Sequence, residues 1–560
     1  MATNNMAALH RDTCAAGGLP RRHTLRIQSP GTLIAAVAFA AMAATPVAVL
    51  LYSFLTPERD IWSHLAEHVL PGLARNTAAL LSLVIPMTAF LGIGLGWLTA
   101  VCDYPGRRFF SWALTLPLAV PPYVYAFVYL GLLDFAGPLQ NSIRQFFPGA
   151  GFTDVRNVFG VASILSLAFY PYVFLLCRSA FLTQGKTAIE AARTLGLSPS
   201  RAFFRVAIPM ARPWIAAGLM LVGMETLADF GAVSIFNYDT FTTAIYKAWF
   251  GLFSLKAASQ LSAVLVAFVL VMLVLEQRFR ARLRFTEAGR SGTTALHLRL
   301  TGAGKWLAFA FSSLVFALAF AIPCLQLLIW AWKAAGPNTA RYLQLGWDTL
   351  ILGLMTAAAT SAASILLAFT RRSAPGADWI IRIATLGYAM PGTILAVGIF
   401  IPAAFIDNTL LDFIASTTGV PMRPFIQGSL ALLVIAYTVR FLAAGFGSVD
   451  SAMQRITPSV VEAARTMGCH GAALVKRVHL PMTRTGILTA AILVLVDVMK
   501  ELPVTLMMRP FGWETLAVKI YEYTSEGEWK MAAAPALVLI AVGLLPIMLL
   551  TGKTETRKKS

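Results

Sequence analysis

The stretch Glu190-Ala-Ala-Arg-Thr-Leu-Gly196 returns as Glu462-Ala-Ala-Arg-Thr-Met-Gly468, at an offset of 272 along a chain of 560 residues. The offset holds well outside the motif. Ile208-Pro209 returns as Leu480-Pro481, Thr243 as Thr515, and Asn76-Thr77 as Asp348-Thr349. Pro105-Gly106 returns as Pro375-Gly376 at an offset of 270, so a two-residue indel lies between. The chain is an internal duplication, and its function is expected to need two similar but inequivalent halves.

Each copy of the motif reads as a short helical hairpin. Thr187-x-x-Glu190 and Ser459-x-x-Glu462 fit a capping box, in which hydroxyl and carboxylate satisfy the first free amides of a helix. Gly196 and Gly468 suit the left-handed residue that ends it. Ser198-Pro199 fits a cap followed by proline at the first helical position. Pro209 and Pro481 are expected to close a second short helix. Ala191, Ala192, Ala463 and Ala464 leave room for a partner to approach closely.

The surroundings are those of a membrane protein. Hydrophobic residues make up 58% and charged residues 13%, where a soluble domain carries about 25% charged residues. An ordinary cytosolic enzyme, a disordered chain and a nucleic-acid-binding domain are thereby excluded. Runs of about 20 apolar residues give about twelve spans, near 31–55, 76–100, 109–132, 157–178, 214–236, 258–276, 306–332, 347–370, 379–406, 427–446, 486–506 and 531–551. They read as helices, because barrel strands would alternate in segments of about ten residues. With both termini inside, most of the 45 Lys and Arg fall in inside segments, including 178–213, 277–305 and 440–484. The formal charge of +19 is then that of basic cytoplasmic loops.

Five segments follow: a basic cytoplasmic N-terminal segment (1–30), a first six-span half (31–276), a basic cytoplasmic linker (277–305), a second six-span half (306–551) and a cytoplasmic tail (552–560). The first apolar run, about 25 residues, is too long for a signal-peptide core of about 7–15. None of the five cysteines falls in an external loop, so no disulfide framework is expected.

The duplicated hairpin resembles the EAA loop of ABC-importer permeases of the type I, MetI-like fold. The resemblance covers most of the chain from about residue 70 to 550. It implies an all-α membrane protein with two parallel six-helix repeats. It also implies that each loop is a coupling helix docking on an ATPase subunit, through Glu190, Ala191, Ala192, Gly196, Glu462, Ala463, Ala464 and Gly468. Glu225-Thr-Leu-Ala-Asp-Phe-Gly-Ala-Val233 with Thr240-Phe-Thr-Thr-Ala-Ile-Tyr246 resembles the first half of fused ferric-iron permeases. Asp497-Val-Met-Lys-Glu-Leu-Pro503 with Arg509-Pro-Phe-Gly-Trp-Glu-Thr-Leu-Ala517 resembles their second half. Permeases for thiamine and phosphonate are fused in a similar way. The partners implied are two copies of an ABC ATPase, a periplasmic binding protein and the bilayer of a bacterial inner membrane, with one copy of this chain per complex. ATP-Mg would sit on the ATPase subunits.

Spans five and eleven carry charges. Glu225 and Asp229 are copied as Asp497 and Glu501, and i, i+4 spacing puts each pair on one helix face. A charge at bilayer depth costs roughly 2.5–3.5 kcal/mol, so it should face a cavity or a partner. One reading is a cation path, because ferric iron prefers oxygen ligands. The other is pairing with Lys500, or capping of irregular turns. Spans three and nine contain Pro121-Pro122 and Pro391-Gly392, matched breaks of the kind that line transport paths. Tyr123, Tyr125 and Tyr129 after the first break read as packing residues.

Three other signals read as decoys. His64-Leu-Ala-Glu-His68 matches a zinc-peptidase pattern, but its copies are Gly336 and Ala340, so a short external helix fits better. Gly552-Lys553-Thr554 ends like a P-loop, yet Ile547 occupies the place of the first glycine. Asp103-Tyr-Pro-Gly-Arg-Arg108 partly resembles a loop of major-facilitator carriers, with Thr99 where that family has glycine. A chain without its own nucleotide site must draw energy from a partner, or else from an ion gradient as a secondary carrier. An intramembrane enzyme using His64 and His68 is the remaining alternative.

Overall fold

The computed structural model describes residues 30–55, 59–135, 137–147, 154–183, 192, 194–283, 298–334, 339–374, 376–419, 423–469 and 471–556. Eleven helices among them are long and apolar enough to cross a membrane. The pair Arg107–Ala119 and Pro122–Phe146, bent by 93° at a short break, makes twelve when it is counted as one span. Proline causes the break: Pro121 and Pro122 cannot donate to the preceding turn, so a 3-10 turn at Leu116–Ala119 gives way to extended backbone before the helix restarts at Pro122. The second half repeats this at Leu386–Ala389, restarting at Gly392 after Pro391. The only strand pairing among the described residues is a parallel two-residue ladder, Cys102 with Leu298 and Asp103 with Arg299. It ties the first half to the chain entering the second.

The halves embrace each other. The helix Pro30–Leu55 opens the first half, yet Ala43 and Leu50 sit in one core cluster with Ile394 and Val397 of the second. Leu327 and Trp330, which open the second half, sit with Tyr125 and Phe127 of the first. Glycine admits each visiting helix: a Cβ on Gly398 would lie 2.6 Å from Pro46, and one on Gly131 would lie 2.6 Å from Trp330. Such close approaches suit helix pairs in lipid, where packing rather than water drives association. Tyr125 and Tyr129 reinforce the exchange. Their hydroxyls donate to the carbonyls of Ala319 (2.7 Å) and Leu318, inside a wide turn at Ala317–Ala321. They are packing residues, as the sequence suggested.

Similar wide turns at Leu65–Val69, Phe203–Ala207, Ala317–Ala321 and Val475–His479 each lead into an X-Pro pair that begins the next helix. The expectation that Pro209 and Pro481 close a short helix is corrected. Both lie in the first turn of the following helices, Ile208–Ala228 and Leu480–Lys500. Shifting the preceding turn to i→i+5 bonding makes room for the ring and for its missing N–H.

Candidate functional site at the junction of the halves

The repeated motif of the second half forms a helix, Pro458–Thr466, that starts two residues earlier than a Ser459 cap requires. Thr457-Pro458 fixes this start, since proline is pre-organised for the first helical position. Ser459 and Glu462 therefore form no capping box; the Ser459 hydroxyl lies 2.9 Å from that of Thr457. The C-terminal expectation holds. Gly468 has φ +83°, the Cys469 N–H donates to Ala464 O at 2.9 Å, and Gly468 N–H donates to Arg465 O at 3.0 Å. This double bond to the last carbonyls is the Schellman arrangement. In the first half Gly196 has φ +85° and Leu197 N–H reaches Ala192 O at 3.1 Å. Ser198 caps the next turn through Arg201 N–H.

Val461 and Ala464 face inward, packed in a cluster with Val449 and Met453, while Glu462 and Ala463 face solvent. Ala192, the copy of Ala464, is likewise buried. Glu190 and Ala191 lie outside the described residues.

Further along the same helices the two halves line a half-open cavity of about 160 Å³. Tyr172, Met224 and Glu225 line it from the first half, and Tyr388, Arg440, Asp497, Lys500 and Glu501 from the second. The four matched carboxylates divide by role. The helices end at Ala228 and Lys500, and Asp229 and Glu501 leave them in extended conformation (ψ 130° and 121°). Asp229 then accepts the N–H of Val233 (3.1 Å), and Glu501 that of Val504 (3.1 Å). Each therefore satisfies an early amide of the short helix that follows, Gly231–Ile235 or Pro503–Met508. Glu225 and Asp497 have no hydrogen bond or ion pair among the described residues, and both face the cavity.

The cations behave differently from the sequence expectation. Lys500 pairs with neither Asp497 nor Glu501 within ion-pair distance. Its ammonium donates to Leu118 O (3.1 Å), a carbonyl freed by the break in span three of the other half. Arg440 does the equivalent work for the second break, donating to Met390 O (3.0 Å) and standing 3.7 Å from Glu501. Sequence reasoning missed Arg440 by counting it with the inside loop 440–484. It lies well inside the apolar helix Leu430–Met453, and its copy in the first half is Ala168; that unmatched charge was the available signal. Both breaks are thus pinned by cations of the second half alone, and the two unpartnered carboxylates leave the cavity acidic.

Beyond the cavity, on the side away from the hairpins, the halves touch. Ser234 and Tyr521 share a hydrogen bond of 2.8 Å, and Phe230 packs on Tyr521 and Tyr246 with ring centroids 5.6 and 5.2 Å apart. No group of three or more His, Cys, Asp or Glu is arranged to hold a metal ion among the described residues. At the other singled-out motif, a helix covers Arg59–His64 and the rings of His64 and His68 stack 5.0 Å apart.

Residues 92–284 and 360–558 each match the family described as binding-protein-dependent transport system inner membrane component. The chain belongs to that family. Each match contains one copy of the Glu-Ala-Ala motif and one wall of the cavity, so this inner membrane component carries two permease halves in one polypeptide. The chain is similar to the Fe(3+)-transport system permease protein of Haemophilus influenzae, with 26% identity over 486 residues, 85% of this chain and 89% of that protein. A ferric transport system permease protein of Actinobacillus pleuropneumoniae is 22% identical over 468 residues, 77% of this chain and 64% of that protein. The molybdenum transport system permease protein of Escherichia coli is 28% identical over 224 residues, 38% of this chain and 96% of its own length. Membership of this family sets aside the secondary-carrier and enzyme alternatives.

Proposed function

We propose that this permease imports ferric iron, handed over by a periplasmic binding protein and driven by two ABC ATPase subunits docked on the Glu190 and Glu462 hairpins. The observation that carries the reading is the pair Glu225 and Asp497, copies of one another, facing a single cavity where the halves meet without an ion-pair partner among the described residues. Unpartnered carboxylates attract a cation and repel oxyanions such as molybdate. Two similar permeases that span most of this chain are named for ferric iron.

A path must also let its ion go. Two facing carboxylates attract a trivalent ion, whereas a complete cage of ligands would retain it. ATP-driven closure of the ATPase subunits moves the two hairpins together, and the helices Ile208–Ala228 and Leu480–Lys500 carry that motion to the cavity. The contact between Ser234 and Tyr521 then opens toward the binding protein, and hydrolysis resets it. A cycle of this kind needs only that each ligand prefer one of the two conformations. Both termini lie in the cytoplasm, one copy of the chain serves each complex, and ATP-Mg binds the ATPase subunits only.

The test is reconstitution of the full complex in vesicles with candidate binding proteins. Iron-loaded binding protein should accelerate ATP turnover and iron accumulation, and Glu225→Gln with Asp497→Asn should abolish accumulation while assembly stays intact. Stimulation by molybdate-, thiamine- or phosphonate-loaded protein instead of the iron-loaded one overturns the assignment of cargo. Accumulation under an ion gradient without ATPase subunits overturns the mechanism.

A further inference from the structure

The cytoplasmic ends of the two halves are built on the same plan with opposite charges. In the second half Arg371 lies between two acids, 2.7 Å from Asp450 and 3.1 Å from Asp378, and Gln454 adds a bond of 2.7 Å to Asp450. The copies of Arg371 and Asp450 in the first half are Thr99 and Arg178. The Thr99 side chain bonds within its own helix, while its carbonyl receives Nε of Arg107 at 3.0 Å. Arg107 thereby reaches the helix turn that Arg371 occupies in the second half, where an arginine, Arg178, holds the place of the acid Asp450. The like charge of Arg107 acts on Arg178, and Nε of Arg178 is buried with no acceptor among the described residues. Asp103 is near Arg107 in the same loop but makes no ion pair with it.

Arg107 and Arg178, with no acid between them among the described residues and a buried Nε on Arg178 that has no acceptor there, suit an anion with several acceptor oxygens. Phosphate fits, because its oxygens accept bidentate bonds from arginine. The level of the pair in the membrane favours a lipid as the source. Trp112 belongs to the helix that Arg107 begins, and is partly exposed. Trp306, with Lys305 Nζ 5.5 Å from its ring centre, sits on the neighbouring helix Ala303–Phe316, which touches the first through Phe109 and Phe316. Tryptophan and lysine so placed mark the headgroup layer, and the cytoplasmic leaflet carries anionic lipid.

We propose that Arg107 and Arg178 form a binding site for a phosphate group, occupied by the headgroup of an anionic lipid of the inner leaflet. The phosphate supplies from outside the negative charge that Asp450 supplies within the second half. It braces the end of span four, from which the first coupling hairpin departs.

The test uses the full-length chain, purified with its partner subunits and placed in nanodiscs of phosphatidylcholine with or without phosphatidylglycerol, with bound lipid read by native mass spectrometry. The wild type should retain phosphatidylglycerol over phosphatidylcholine by about tenfold, as charge-assisted bonds to an anion would give. Arg178→Asp, which copies the charge pattern of the second half and so keeps the fold satisfied, should reduce that preference to parity. Asp450→Asn should leave it unchanged. Displacement of the lipid by millimolar inorganic phosphate also supports a phosphate site and makes free phosphate an alternative source. Equal retention of the two lipids by the wild type overturns the proposal. So does loss of the ATPase subunit from the Arg178→Asp complex without change in lipid retention, which would assign the arginines to a protein carboxylate.

Discussion

Gly92 lies directly against Val173: a Cβ built on the glycine would come 2.5 Å from that of the valine. Their copies in the second half are Ser364 and Gly445, in contact across the same pair of helices, where a Cβ on Gly445 would lie 2.7 Å from the Ser364 hydroxyl. The glycine has changed sides. Gly353 faces Leu495 at 2.6 Å, but this contact is not copied: Gly223, the copy of Leu495, meets Ile85 at 3.9 Å rather than Leu81, the copy of Gly353. Close helix approach in lipid needs one small residue per contact, and either helix can provide it.

Gly92→Ser alone should overpack the first half and cost about 1–3 kcal/mol. Val173→Gly in the same chain should recover part of that, with a coupling of about 0.5–3 kcal/mol, because the Phe174 backbone nitrogen, 2.9 Å from the added Cβ, stays in place. Thermal unfolding of the purified complex for both single variants and the double variant measures it. Simple additivity would show that the contact is not shared in this way.

Arg440→Met removes the only ion-pair partner of Glu501 among the described residues and frees the Met390 carbonyl. Leaving a buried charge without its partner costs about 3–5 kcal/mol, so the variant should melt lower and assemble poorly. Arg440→Met with Glu501→Gln should recover part of the loss, because the neutral amide still accepts from Val504.

Asp407 is completely buried and accepts three backbone amides, those of Phe425 (3.3 Å), Ile426 (3.1 Å) and Gln427 (3.0 Å). It fixes the turn that precedes the helix Leu430–Met453. Bonds to a charged acceptor are worth about 1.5–3 kcal/mol each. Asp407→Ala should destabilise the protein by several such bonds and speed hydrogen exchange at residues 425–427, while Asp407→Asn should lose less.

Glu462→Lys combined with Glu190→Lys should release the ATPase subunits, because Glu462 is exposed on the outer face of its helix and has no structural task inside. Co-purification at full stoichiometry with normal coupling would remove the hairpins from the docking surface. Gly468→Ala tests geometry instead. None of the described residues lies within 4 Å of the added Cβ, so the cost is that of the left-handed backbone, about 1–2 kcal/mol.

Tyr521→Phe deletes the hydrogen bond to Ser234 across the halves. A bond of this kind contributes about 1 kcal/mol, equivalent to about a fivefold shift in population. Basal ATP turnover without binding protein should rise by about that factor if this contact holds the outer side closed.

The repeat, the helical spans, the glycine turns at Gly196 and Gly468 and the breaks at Pro121 and Pro391 could all be read from the order of residues. These features depend on local rules: proline lacks an N–H, glycine tolerates a positive φ, and apolar runs of span length require lipid. Glu225, Asp229, Asp497 and Glu501 were legible as a set but not as individuals. The i, i+4 argument assumes that the helix continues, and both helices stop between the members of each pair. Pro503 hinted at this in the second half; nothing comparable follows Asp229 in the first.

Sequence alone therefore determined that this is a duplicated membrane protein with the same glycine-ended loop motif in each half, because periodicity, composition and turn chemistry are written residue by residue. Tertiary structure alone decided that Glu225 and Asp497 face the cavity while Asp229 and Glu501 cap helices. It also decided that Lys500 and Arg440 pin the two breaks, and that Arg107 meets Arg178. Those assignments depend on which helix ends pack against which, and charges that meet from distant parts of the chain have no signature in local spacing.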